Sequence, residues 1–436
     1  MQAAFGIDRS RLRRLVLAGL LAPAMAGATD GYFAHGYGMK SIGMGGASIA
    51  RTDDAFGGAN NPAQMVFVGD RIDLGLNLFR PSRGAERTGA SIPPLDGNVD
   101  SSSRQFLIPE FGYNALVRPN LSLGVSVYGN GGMNTDYPQS NFRCPNPQTF
   151  QFFPANMLCG QGSLGVDLQQ LVVAPTVAYK VAADHAIGLS PLITYQRFKL
   201  QGAQAFGLIS SDPNSLTNNG YDDSRGIGAR VGYLGRLSPF ISIGAQYASR
   251  TSMSKFSKYK GLFADQGAFD LPSNFGAGVM LHPTQAWDVA LDYERILYRD
   301  ISSVGNPSTN RAPLGAANGP GFGWQDVNVF KFGVQYLLNP ALTLRAGYNH
   351  SNNPIQARDV TFNILAPGVV QDHFTFGATH PFGVGSEVTA AFMYAPYRSV
   401  TGSSLFNSLF PVPNAGGTET IHLREMSFGL AWGKKF

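Results

Sequence analysis

The sequence predicts an all-β protein: a fourteen-stranded antiparallel transmembrane β-barrel with an N-terminal hatch in its lumen. Three observations support this fold class: an export signal, alternating strands joined in turn by short and long connections, and a final aromatic residue, Phe436. Charged residues make up 14% of the 436 residues, against about 25% in soluble globular proteins. After the signal, no stretch contains the ~20 continuous apolar residues that a membrane helix requires.

The first 28 residues are typical of a secretory signal peptide. Arginines at positions 9–14 precede an apolar run over residues 15–26, and Ala26, Gly27 and Ala28 supply a small-residue cleavage site. A short membrane anchor is the alternative interpretation. The leader carries four arginines and one aspartate, so its removal lowers the formal charge from +5 to +2. The basic pI therefore does not indicate a nucleic-acid partner.

Short turns and long loops alternate from residue 66 onward, which defines a predicted barrel over residues 66–436. Six turns rich in proline, glycine or asparagine lie at residues 119–120, 182–184, 238–239, 283–284, 339–340 and 381–383. Seven long, polar, glycine-rich segments lie near residues 82–104, 131–163, 203–223, 252–270, 300–323, 351–370 and 398–420. These connections join fourteen strands, and bacterial barrels have an even strand number with short periplasmic turns and long outer loops.

The predicted strands alternate an apolar face with a polar or small face. In the last strand, Phe428, Leu430 and Trp432 alternate with glycine and alanine. Lipid outside and water inside explain this pattern. Charges on the second faces of other strands are tolerated only in contact with water or partners, which predicts a lumenal position for Asp288, Asp292, Lys331 and Arg345.

Residues 29–65 differ from the strands because they are rich in glycine and lack clean alternation. A solvated leader is the alternative, but apolar residues such as Ile42 and Phe56 argue against it. Side chains alone do not fill a lumen of fourteen strands, so we expect this segment to form a plug.

The N-terminal motifs resemble those of a known family. Gly43-Met44-Gly45-Gly46-Ala47, Asp53-Asp54-Ala55 and Asn60-Asn61-Pro62-Ala63 are similar to the hatch of the FadL-type outer-membrane transporters of long-chain fatty acids and aromatic hydrocarbons, the OMPP/FadL/TodX family. The resemblance implies passive transport: capture at the outer loops, transfer to an inner site and lateral release through a gap near strand three. It implies no cofactor, and we expect a monomer in the outer membrane, in contact with its lipid and with a hydrophobic small-molecule substrate.

The predicted kink follows the third strand directly. Gly129, Asn130, Gly131 and Gly132 come after the strand 121–128, and glycine is where a barrel strand bends or bulges. The alternative is that these glycines simply begin the next loop.

Apolar residues in two outer loops are candidates for hydrophobic capture: Phe142, Phe150, Phe152, Phe153, Met157, Leu158, Phe206, Leu208 and Ile209. Exposed clusters of this kind mark binding surfaces, and packing of the loops over the barrel mouth is the alternative. Cys144 and Cys159, the only cysteines, are predicted to form a disulfide in an exported protein, with two free thiols as the alternative.

Arg197 and Lys199, at the top of the fifth strand, are the candidates for binding a carboxylate headgroup. If neither faces the inner pocket, uncharged cargo is favoured. A general porin and an outer-membrane lipid-modifying enzyme are the rival functions. The enzyme is disfavoured because His350 and Ser351 are adjacent on a strand and point to opposite faces. We expect no catalytic or metal site.

Overall fold

The structure, a computed structural model, describes residues 30–146, 149 and 151–436. The predicted signal peptide and Phe150 lie outside the described residues. Within them, no helix is long and apolar enough to cross a membrane.

Fourteen antiparallel strands form one closed barrel, as predicted. Each strand pairs with its neighbours in sequence, and β1 pairs with β14 over their full lengths, from Arg71 opposite Lys435 to Thr88 opposite Thr418. The strands are β1 Arg71–Thr88, β2 Phe106–Arg118, β3 Leu121–Tyr137, β4 Leu164–Ala182, β5 His185–Gln201, β6 Asp222–Ser238, β7 Ile241–Ala248, β8 Asn274–Leu281, β9 Trp287–Ile296, β10 Val327–Asn339, β11 Leu342–Ser351, β12 Asp372–Phe382, β13 Ser386–Ser403 and β14 Thr418–Lys435.

All six predicted turns join strands at one end of the barrel, and the seven long connections lie at the other end. Three strands reach further towards the long loops than the sequence predicted: β1 continues to Thr88, β3 to Tyr137 and β13 to Ser403. Their upper parts lack an apolar face, which explains why alternation did not reveal them.

The two faces of the wall divide as predicted. Leu291, Phe330 and Phe376 are exposed on the outside, where lipid covers a transmembrane barrel. Asp292, Lys331 and Arg345 are buried inside.

Short strands, short helices and 3-10 turns lie outside the fourteen barrel strands. Short strands lie at Gly97–Asp100, Arg143–Pro145, Phe152–Pro154 and Ser252–Met253. Short helices lie at Met39–Ile42, Met65–Val68, Ala264–Gly267, Ser302–Gly305, Val360–Asn363 and Phe406–Leu409, and 3-10 turns at Pro62–Gln64, Pro93–Leu95, Gln204–Ile209, Pro213–Ser215, Ser257–Tyr259, Tyr298–Asp300 and Ala357–Asp359. The largest apolar cluster lies between the loops and the upper barrel wall.

Candidate functional site

The N-terminal segment, residues 30–69, packs against the inner wall of the barrel, and none of its residues is exposed. Its backbone amides bind acidic side chains of the wall. Asp292 of β9 accepts hydrogen bonds from the backbone nitrogens of Ser48 at 2.6 Å and Ile49 at 2.8 Å. Glu110 of β2 accepts one from Gly38 at 3.0 Å. These contacts fix the segment to opposite parts of the wall.

The Asn60–Ala63 motif is a structural anchor within this segment. The Asn61 side chain is fully buried and donates to the backbone oxygens of Ile49 at 2.8 Å and Tyr233 of β6 at 2.9 Å. Its oxygen accepts from the Ala63 nitrogen at 3.1 Å, which begins the 3-10 turn Pro62–Gln64. Asn60 donates to the backbone oxygen of Tyr37 at 3.0 Å. An asparagine can make all three contacts because its amide both donates and accepts.

Glycines in the wall provide the space for this packing. A Cβ atom at Gly333 would lie 2.6 Å from the Met44 oxygen, and one at Gly112 would lie 2.6 Å from the Ala55 oxygen. A Cβ at Gly232 would overlap the Asn61 side chain, and one at Gly188 would overlap Pro62. These glycines lie on four different strands, so the lumen is shaped around the segment.

A charge cluster holds the segment near the short-turn end. Lys40 forms an ion pair with Glu387 at 2.6 Å, and Arg71 pairs with both Asp73 and Glu387. Beside them, burial together with the neighbouring Asp73 carboxylate raises the pKa of Asp54 to about 7. Asp54 is therefore largely protonated below neutral pH.

The sheet is incomplete between β2 and β3. Their pairing runs from Arg118 opposite Leu121 only as far as Phe111 opposite Val127. Above this point, β2 pairs only with β1, and β3 pairs with β4 as far as Tyr137. We call the unpaired region the β2–β3 gap.

A β-bulge marks the lower end of the gap. In the pairing of β3 with β4, Gly129 lies opposite Leu171 and Gly131 lies opposite Gln170, which leaves Asn130 as the extra residue. Gly131 has φ of 153°, a conformation that favours glycine. The predicted kink glycines thus lie inside the strand and do not begin the loop.

The N-terminal segment covers the gap from inside. Phe33 forms an isolated antiparallel bridge with Gly131. The Ala34 nitrogen donates to the Asn130 oxygen at 3.2 Å, and the Gly132 nitrogen donates to the Tyr32 oxygen at 3.2 Å. The edge of β3 that β2 leaves open is therefore paired with the start of the described chain.

Arg83 spans the upper part of the gap. This buried side chain of β1 donates to the backbone oxygens of Asn134 on β3 and Ser103 in the first loop. Its guanidinium also lies 5.4 Å from the centre of the Phe106 ring. Arg83 thus links the three elements that border the opening.

Two small cavities lie in the upper lumen, each of about 30 Å³, enough for one or two waters. The gap cavity is lined by aromatic and apolar side chains together with two charged ones, among them Tyr32, Phe79, Arg83, Met133, Trp324 and Glu425. The upper cavity is almost entirely apolar and is lined by residues that include Val166, Phe198, Phe263, Leu314, Phe322 and Phe362. Most of these side chains belong to the same large apolar cluster.

Of the eight predicted capture residues that the structure describes, four are buried beneath the loops. Phe142, Met157, Leu158 and Phe206 are part of the large apolar cluster, so they do not form an exposed surface. Phe153 and Ile209 are half-buried, and only Phe152 and Leu208 are exposed. Self-packing of the loops explains the burial. Cys144 and Cys159 are joined in a disulfide with a Cα–Cα distance of 5.5 Å.

A buried ion pair connects three of the long loops. Arg87 and Glu419 are both fully buried. Arg87 donates to the Met157 oxygen at 2.8 Å, and Glu419 accepts from Ser404 at 2.8 Å and from Thr361. The loops over the mouth are therefore joined through charged groups as well as apolar contacts.

Arg197 and Lys199, the candidates for binding a carboxylate headgroup, do not face an inner pocket. Both lie on the face of β5 that carries the exposed Ile193 and Tyr195, whereas the alternate residues, such as Phe198, are buried. The two-residue period of a strand places them outside the barrel.

The sequence reasoning missed Tyr32, Arg83 and Trp324 at the gap cavity. A signal was present for Arg83: counting in twos from the inward Arg71 and Asp73 places Arg83 and Arg87 on the inner face of β1. His350 is exposed and Ser351 is buried, so they do lie on opposite faces. The described residues contain no group of three or more histidine, cysteine or acidic side chains arranged to hold a metal.

Comparisons with known proteins agree with this architecture. No curated protein matches the chain. The Pseudomonas putida toluene transporter TodX has a similar structure, with a TM-score of 0.66, 20% identity and coverage of 94% of this chain and 100% of that one. A Pseudomonas aeruginosa FadL homologue matches with a TM-score of 0.69 and 13% identity, over 93% of this chain and 100% of that one. The Ralstonia pickettii toluene transporter TbuX matches with a TM-score of 0.62 and 17% identity, over 92% of this chain and 99% of that one.

The family comparison extends over most of the chain. The model that matches residues 21–405 describes outer membrane transport proteins of the OMPP1/FadL/TodX type. These are transport proteins and not enzymes. The chain therefore belongs to the OMPP1/FadL/TodX family of outer-membrane transport proteins.

Proposed function

We propose that the protein carries hydrophobic compounds passively from the long-loop end to a lateral exit at the β2–β3 gap. The observation that carries this proposal is the missing β2–β3 pairing directly beside a partly apolar cavity. A barrel wall is normally paired throughout because unsatisfied backbone groups are costly in lipid. An interruption covered by a separable segment is the feature expected of a gate.

The interior of the barrel supports a lateral route. Residues 29–65 act as the hatch and block an axial path, with the Asn60–Ala63 motif as their anchor. Each methylene removed from water stabilises an apolar molecule by about 0.8 kcal/mol. A route from the upper cavity to the gap cavity and then into the bilayer avoids repeated exposure of the cargo to water.

Cargo would first meet the exposed Phe152 and Leu208 at the mouth, with the remaining capture residues available once the loops separate. Both cavities are smaller than a hydrophobic ligand, so we infer that the structure represents the closed state. Movement of residues Tyr32–Ala34 away from β3 would open the lower part of the gap.

The charges at the gap cavity favour uncharged cargo. Arg83 lines this cavity beside Glu425, and its guanidinium already donates to the backbone oxygens of Asn134 and Ser103, so it is poorly placed to bind a carboxylate. Long-chain fatty acids and related hydrocarbons remain in the proposed cargo class, with uncharged hydrocarbons preferred. The names of TodX and TbuX as toluene transporters agree with this preference.

The proposal includes export through a signal peptide over residues 1–28 and function as a monomer in the outer membrane. It is tested by uptake in cells that lack the protein, with and without its gene restored, using labelled toluene and labelled oleate at limiting concentration. Rescue of toluene uptake more than oleate uptake is expected. Free entry of small polar solutes without rescue of either compound would instead identify a porin.

A further inference from the structure

Five positively charged side chains cluster on the outside of the barrel, where β5 and β6 approach the long loops. Arg197 and Lys199 lie on the outer face of β5, and Arg225 lies on the outer face of β6. Lys255 and Lys258 are exposed in the connection after β7. We call these five residues the cationic rim patch.

Hydrogen bonds bring the parts of the patch together. The backbone of Ser254, next to Lys255, donates to the Arg225 oxygen at 2.8 Å. The backbone nitrogen of Lys258 donates to the Asp222 carboxylate at 2.8 Å. In the β5–β6 pairing, Arg197 lies opposite Asp223. The five cations therefore belong to one continuous surface.

None of the five cations forms an ion pair with an acid in the part of the chain that the structure describes. The nearby carboxylates accept hydrogen bonds from tyrosines: Tyr221 donates to Asp167 at 2.6 Å, and Tyr195 donates to Asp223 at 2.5 Å. With Asp167, Asp222 and Asp223 as the neighbouring acids, the surface keeps a formal charge of +2.

Arginines near the long-loop ends of β9 and β13 differ in this respect. Arg295 pairs with Asp326 at 3.0 Å, and Arg398 pairs with Asp372 at 2.6 Å. Both arginines are comparably exposed, at 41% and 46%. Positive charge without an acidic partner thus distinguishes the β5–β6 side from β9 and β13, and these two arginines serve as controls.

The patch lies directly above the lipid-facing belt. Ile193 and Ile227 are paired neighbours on β5 and β6, and their side chains are 51% and 64% exposed. Arg197 is four residues above Ile193, which corresponds to about 13 Å along a strand. Tyr195 lies between Ile193 and Arg197, and Tyr221 contacts Arg197, as expected for the aromatic girdle at a membrane interface.

We propose that the cationic rim patch binds the phosphate-bearing headgroup of a lipid in the leaflet at the long-loop end. Guanidinium groups bind phosphate with two parallel hydrogen bonds. The Arg197 guanidinium lies 3.6 Å from the centre of the Tyr221 ring and the Lys199 ammonium 5.1 Å from it, so both cations are positioned before binding. The acyl chains of the same lipid would cover Ile193 and Ile227.

The test uses the purified full protein in detergent micelles, with diphosphoryl lipid A as the probe and native mass spectrometry as the readout. The variant R197Q/K199Q/R225Q is compared with the control R295Q/R398Q, and heat-modifiable electrophoretic mobility verifies that both barrels fold. The patch variant is expected to raise the dissociation constant at least about tenfold, because charge-assisted hydrogen bonds to phosphate are stronger than neutral ones. The control is expected to change it by less than about twofold.

Equal affinity of the wild type and the patch variant for lipid A would overturn the proposal. Equal losses of affinity in the patch variant and the control would also overturn it. Lipid A from which both phosphates have been removed is expected to bind as weakly to the wild type as to the patch variant. Equally tight binding of that dephosphorylated probe would contradict headgroup recognition. Displacement of lipid A by inorganic phosphate at similar concentration would show a site for free phosphate and would also overturn the proposal.

Discussion

Phe33 pairs with Gly131 as an isolated antiparallel bridge, so the N-terminal segment occupies the edge of β3 that β2 leaves open. Two backbone hydrogen bonds flank this bridge, at 3.2 Å each. Each contributes about 0.5–1.5 kcal/mol net. Apolar cargo that gains more than this by entering the gap cavity could displace the bridge, which links substrate binding to opening.

The wall glycines make the position of the N-terminal segment testable. Gly232→Ala would place a methyl group against Asn61, and overpacking of this kind costs about 1–3 kcal/mol. We expect a lower unfolding midpoint in detergent and greater entry of small polar antibiotics. Gly207→Ala is the control, because its nearest neighbour would be 3.5 Å away. If Gly232→Ala left both the unfolding midpoint and antibiotic entry unchanged, the position of the segment would not depend on this contact.

A substitution of Arg83 tests whether the cargo is charged or uncharged. Arg83→Met keeps an apolar chain against Phe106 and removes the cation from the gap cavity. If the cargo is uncharged, toluene uptake at limiting concentration is expected to be maintained or to increase, because a link across the gap is lost. A selective loss of oleate uptake, with toluene uptake retained, would show that Arg83 binds a carboxylate.

We expect the stability of the protein to depend on pH because the pKa of Asp54 is raised in the folded state. Its pKa rises from 3.8 to about 7 in the folded protein, chiefly through burial. Its contribution to stability is therefore fully present below about pH 4 and is lost as the pH rises towards about 7. Urea unfolding of the wild type and Asp54→Asn, followed by tryptophan fluorescence between pH 4.5 and 8, measures this loss. The variant should gain stability relative to the wild type as pH rises; a constant difference would contradict the account.

The sequence revealed the barrel because turn residues and two-residue alternation are local properties. Pro119-Asn120 and Asn339-Pro340 mark turns that the structure contains, and the alternation over Trp287–Tyr293 is present in β9. The upper parts of β1, β3 and β13 escaped detection because lipid does not select an apolar face there.

The candidate site was less predictable because it depends on register and on distant contacts. Arg197 was a candidate for the inner headgroup site, although Tyr195 and Ile193, two and four residues before it, indicate the outer face. The contact of Phe33 with Gly131 joins residues far apart in the sequence, and no local pattern indicates it. The buried state of Phe142 and Phe206 likewise depends on how several loops pack together.

The most direct test of lateral exit is to fix the N-terminal segment to β3. Ala34 and Asn130 are hydrogen-bonded neighbours beside the Phe33–Gly131 bridge, and neighbouring positions in an antiparallel pair lie within the range that a disulfide spans. Labelled toluene uptake is measured for A34C/N130C before and after reduction, with each single variant and the wild type as controls for Cys144–Cys159. The account predicts that oxidised A34C/N130C loses uptake and that reduction restores it. Full uptake with the crosslink verified by mass spectrometry would show that cargo leaves the barrel by another route.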